Sequence, residues 1–70
     1  MEFKIIIASP YDRESIVAEI WLDNIQIAEV TQENDCPKIE FYQFAENLNM
    51  LYDLNSLQNA IEEAKQKLKT

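Results

Sequence analysis

Apolar and polar positions alternate in short runs over the first two thirds of the chain, then switch to a helical period. From Phe3 to Ala8 the run FKIIIA is β-branched and apolar apart from Lys4, which predicts a first strand. SPYDRES, Ser9 to Ser15, has the proline and polar residues of a loop. Ser15 to Leu22 and Ile25 to Gln32 predict a second and a third strand. Asp23-Asn24 between them fits a two-residue type I′ turn. Such a turn needs positive φ at both central residues, and Asn and Asp tolerate this better than other non-glycine residues. The chain has no glycine, so Asn24 is the position where glycine is expected to stabilise the fold. ENDCP, Glu33 to Pro37, reads as a loop, and Lys38 to Phe44 as a fourth strand of alternating charged and aromatic residues. AENLN, Ala45 to Asn49, turns the chain, and Met50 to Asp53 has the length of a short fifth strand at an edge.

The period then changes. NSLQNAIEEAKQKLK sets Leu57, Ala60, Ile61, Ala64 and Leu68 on one stripe at helical spacing. Asn55 or Ser56 is the expected cap, and Lys65, Lys67 and Lys69 complement the dipole at the far end. Asn59 stands where a capping box led by Ser56 would want Glu or Gln. The element order predicts an α+β fold: an antiparallel meander of four to five strands followed by one C-terminal helix packed on one sheet face. Residues 1–70 read as a single domain.

The turn at Asp23-Asn24 also predicts a register. Leu22 faces Ile25, Trp21 faces Gln26 and Ile20 faces Ile27. One face of the hairpin then carries Ile16, Ala18, Ile20, Leu22, Ile25 and Ile27. The other carries Val17, Trp21, Ala28 and Val30, with Glu19 and Gln26 among them. A half-wet antiparallel sheet alternates more cleanly than this, and one helix covers one face only. The expected consequence is a homo-oligomer, a dimer first, because a two-fold contact needs only one self-complementary patch. Ile16, Ile20, Trp21, Leu22, Ile25, Ile27 and Tyr42 are the expected contact residues for an oligomer or another partner.

Charge narrows the partners. The net charge is −7, and residues 1–54 hold eleven acids against Lys4, Arg13 and Lys38. An acidic body excludes direct nucleic-acid binding and docking on an anionic membrane, since both need cationic surface. It suits a basic protein surface. No apolar run is long enough to span a bilayer or to form a signal peptide. A lone cysteine in an unstapled chain points to a reducing cytoplasm.

Catalytic chemistry is thinly represented. Without histidine there is no Ser-His or Cys-His pair, and without glycine no phosphate-binding loop. Cys36 reads as an ordinary thiol, and Glu33 and Asp35 as solvated loop charge in preference to a metal site. No cofactor or metal is expected. Glu19 and Glu29 lie on neighbouring strands but on opposite faces in the predicted register, so they form no carboxylate dyad. Tyr11 and Arg13 are the candidate anion or ligand contact, by stacking and a planar guanidinium fork. Trp21, Phe41, Tyr42, Phe44 and Tyr52 are better suited to core and interface than to stacking bases, given the acidic setting.

AEIWLDNIQIAEVTQE, Ala18 to Glu33, resembles a group of small bacterial and phage-associated proteins of uncharacterised function. These carry an A-E-I-W-x-D hairpin followed by A-E-[IV]-x-Q-E and close on a short helix like LQNAIEEAKQKL, Leu57 to Leu68. The group often has glycine where this chain has Asn24. The resemblance implies a prokaryotic or phage setting and carries over no catalytic residues to this chain. The expectation is therefore a non-enzymatic, acidic, oligomeric binding protein. It would act as an inhibitor or sequestering factor of the anti-defence, antitoxin or immunity type against a protein target. The alternative is a sponge for a nucleotide signal or another small ligand, with its pocket at a subunit interface.

Overall fold

The computed structural model describes residues 1–9, 11, 15–33, 35–42 and 50–69. Four strands and one helix follow one another as β1 (Phe3–Ala8), β2 (Val17–Leu22), β3 (Ile25–Glu33), β4 (Cys36–Phe41) and α1 (Leu54–Leu68). The strands form one antiparallel sheet in the order β1-β2-β3-β4, with α1 packed on one side. This is the predicted α+β meander. Residues 50–53 do not form the fifth strand that their sequence allowed. The expected end of strand four at Phe44 and the turn at 45–49 lie outside the described residues.

The hairpin turn is as predicted. Asp23 and Asn24 hold φ of 50° and 69°, and Leu22 pairs with Ile25. Asp35, between β3 and β4, has φ of 57°. The "ENDCP" stretch is therefore tighter than the predicted loop, since Glu33 pairs directly with Cys36 and Pro37 lies within β4.

Beyond Gln26 the predicted register fails. A β-bulge makes Ile20 pair with Ala28, where simple alternation puts Ile27. One extra residue in β3 reverses the parity of everything after it. Ile27 and Ala28 both join the core, and Val30 follows them, opposite Ala18. The core side then collects Phe3, Ile5, Ala18, Ile20, Leu22, Ile27, Ala28 and Val30 beneath Ala60 and Ala64. The other side is left with Lys4, Ile6, Ala8, Val17, Glu19, Trp21, Gln26, Glu29 and Thr31, of which Val17 is 1% exposed. Two apolar faces were expected, and the bulge sorts them into one apolar and one mixed face.

Helix α1 is capped two residues before Asn55 and three before Ser56, the two predicted caps. Asp53 is the cap: its backbone is extended and its Oδ2 accepts from the Ser56 N–H at 2.9 Å. The first helical bond, from the Leu57 N–H to the Asp53 carbonyl, is 2.9 Å. Ala60 and Ala64 carry no bulk beyond Cβ, so the helix axis sits close over the sheet. Leu57, Ile61 and Leu68 flank them and close the sides of the core. The ring of Tyr52 leans on Phe3 at 6.2 Å between centroids, sealing the end where β1 begins. The helix crosses β1, β2 and β3 and does not reach β4. No described helix is long and apolar enough to cross a membrane.

Candidate interaction surface

The face away from the helix is built by strand alternation and the bulge. In register, Glu19 of β2 lies opposite Glu29 of β3, and Glu29 lies opposite Glu40 of β4. Sequence reasoning placed Glu19 and Glu29 on opposite faces; the extra residue at Ile27 brings them onto one. Three carboxylates therefore stand in one row across three strands, each step about 5 Å. Like charges directly opposite one another oppose sheet pairing, but Glu29 and Glu40 are each engaged in a further interaction, so the row is not a run of free carboxylates.

The aromatic groups beside the row are oriented by polar contacts. The Trp21 indole Nε1 donates to Glu19 Oε1 at 3.0 Å. Gln26 Nε2 lies 3.4 Å from the Tyr42 hydroxyl and 3.5 Å from the Ala28 carbonyl oxygen, both as acceptors. Glu29 is buried, Glu19 half-buried and Glu40 exposed, so the row grades from covered to open toward β4. Among the described residues, no group of three cysteine, aspartate or glutamate side chains is arranged to hold a metal ion. Cys36 is a free, exposed thiol.

The expected contact residues do not form one patch. Ile20 and Ile27 are sealed under α1, at 0% and 1% exposure, and offer nothing to a partner. Leu22 is half-buried against the core. Trp21 and Tyr42 are half-buried on the glutamate face, while Ile16 and Ile25 are exposed. Tyr11 is fully exposed, and Arg13, its expected companion, lies outside the described residues. Several open apolar residues lie outside the expected contact set, among them Ile7, Leu51 and Leu54 and two on β4. Ile39 and Phe41 of β4 are 38% and 48% exposed on the helix side of the sheet, where α1 falls short. Their alternation with Lys38 and Glu40 was visible in the sequence; the reach of the helix was not.

Two concavities flank the sheet. A groove of about 170 Å³ between α1 and β4 has Val30, Ile39 and Ile61 in its walls, with Lys38 and Lys65 at its rim. A wider cleft of about 630 Å³ lies at the β1 edge, where Lys4 and Lys67 meet Glu2, Asp23 and Glu63. Lys67 is already paired with Glu63 at 3.2 Å, so this cleft offers little net positive charge to a nucleotide. No protein-family model matches the chain, and no match is found among curated proteins or solved structures.

Proposed function

We propose that this chain is a non-enzymatic binding protein that self-associates and occupies a basic surface on a protein target, as an inhibitor or sequestering factor. The observation that carries the reading is the registered row Glu19–Glu29–Glu40, flanked by Trp21 and Tyr42. Exposed Glu40 and half-buried Glu19 present carboxylates on a rigid sheet to lysine and arginine side chains, with buried Glu29 between them adding negative potential, and half-buried aromatics supply anchoring area. The net charge of −7 steers a cationic partner toward that face. A small acidic protein of this design fits anti-defence, antitoxin and immunity roles, with the cytoplasm as its place of work.

The test is a capture experiment from prokaryotic host lysate at graded salt. The native chain should retain a basic protein at low ionic strength and release it as salt rises. Glu19→Gln together with Glu40→Gln should lower retention about tenfold or more while leaving the melting temperature near native, since the amide keeps the shape and the acceptor oxygen of each side chain. Retention that ignores both salt and these substitutions would sink the charge-led reading. A nucleotide that raises the melting temperature of the native chain would favour the small-ligand alternative.

A further inference from the structure

Among the described residues nothing pairs beyond the outer edge of β4, and all six residues of that strand are exposed. Its hydrogen-bonding phase follows from one contact. The Tyr42 N–H donates to the Ile27 carbonyl at 2.9 Å, so even-numbered residues of this strand turn their backbone groups inward, toward β3. Odd-numbered residues turn theirs outward. Pro37 is one of these, so its missing N–H costs the β3 ladder nothing. Ile39 and Phe41 each present an N–H and a carbonyl to solvent, and Pro37 a carbonyl.

We infer that a second copy of this chain pairs antiparallel with this edge, Ile39 lying opposite the partner's Ile39, and that the two sheets join into one of eight strands. The inference rests on the self-association proposed above and gives it a place and a register. Each chain then donates from Ile39 to the partner's Ile39 and from Phe41 to the partner's Pro37, four bonds across the two-fold. On the helix side, Ile39 meets its own copy and Phe41 covers the partner's Pro37, closing apolar surface that α1 leaves bare. On the glutamate side, Lys38 stands opposite the partner's Glu40, twice. Shifting the axis by one residue toward Lys38 sets two lysines face to face. Shifting it toward Glu40 sets two glutamates face to face. Charge therefore selects one register among those the backbone phase allows.

Light scattering after gel filtration at micromolar concentration should return a dimer. Lys38→Glu and Glu40→Lys should each weaken it about tenfold, and the double swap should return it to near the native value. The two single changes move net charge in opposite directions. If overall charge governed association, Glu40→Lys would tighten the dimer, and that result would overturn the proposal. Ile39→Pro removes an outward N–H and should yield a monomer with a native circular dichroism spectrum. A native chain that is monomeric overturns the self-association and this interface together. A native dimer that is indifferent to all three positions overturns the interface alone.

Discussion

Asp23, Asn24 and Asp35 hold positive φ in a chain without glycine. Short Asp and Asn side chains tolerate the left-handed region better than longer or branched ones. Asp53 does a different job with the same functional group. Hydrogen bonds from Ser56, first its side chain and then its backbone N–H, hold the Asp53 carboxyl below its ordinary value. The positive end of the helix favours the same charged form. A carboxyl lowered in the native state stabilises the fold above its unfolded pKa of about 3.9, and that contribution is lost as pH falls through the lowered native value. Thermal melts between about pH 5 and pH 2 should therefore lose part of their slope in Asp53→Asn, which keeps the cap acceptor without the charge. Asp53→Ala should lower the melting temperature by a few degrees already at neutral pH. An acid limb unchanged in Asp53→Asn would mean that the cap is not coupled to folding.

At the scale of elements, the bulge in β3 decides the most. It places two successive residues, Ile27 and Ala28, in the core opposite Ile20 and turns Glu29 onto the row with Glu19. The period of two is legible in both strands, and so is the turn that starts the register. The slip is not legible, because nothing in IQIAEV distinguishes an ordinary alternation from one carrying an extra residue. Burial chooses: without the bulge Ala28 and Val30 face away from the helix, and with it they are 0% and 3% exposed beneath it. The helix answers with small residues. Ala64 is fully covered, so Ala64→Leu should push α1 off the sheet and cost about 1–3 kcal/mol. In a domain this small, each kcal/mol is about 4–8 °C of melting temperature. A variant that melts at the native temperature would show that the helix does not sit close at Ala64.

For the whole molecule, a helix of 15 residues over a four-stranded sheet leaves one strand uncovered, and that strand is β4. The two associations proposed for this chain respond to salt with opposite sign. Two chains of charge −7 repel each other over distances that about 0.1 M salt begins to screen. Exposed ion pairs such as Lys38 with the partner's Glu40 set register and contribute little to affinity, while backbone bonds and apolar contact hardly respond to salt. Raising salt from about 0.03 M to about 0.3 M should leave the dimer intact or tighten it, and should weaken binding to a basic target. Sedimentation of the chain alone and in mixture with its captured target would check both directions. A dimer that dissociates as salt rises would place its attraction in charge and not in the edge.

The sequence by itself determined the element order, the β2–β3 turn, the face of the helix and the acidic balance, because each follows from neighbours a few residues apart. Spacing at two or three to four residues, a pair of left-handed-tolerant side chains and a count of charges are local properties. Its candidate sites were legible only in part. Trp21 and Tyr42 stay half-exposed on the glutamate face, whereas Ile20 and Ile27 disappear into the core. Tertiary structure alone decided the bulge, the cap at Asp53, the row Glu19–Glu29–Glu40 and the bare edge at Ile39 and Phe41. Each depends on how a helix of fixed length and small-residue face settles across four strands. That settling trades alternation in one strand against burial in all of them, a balance no short window of sequence contains.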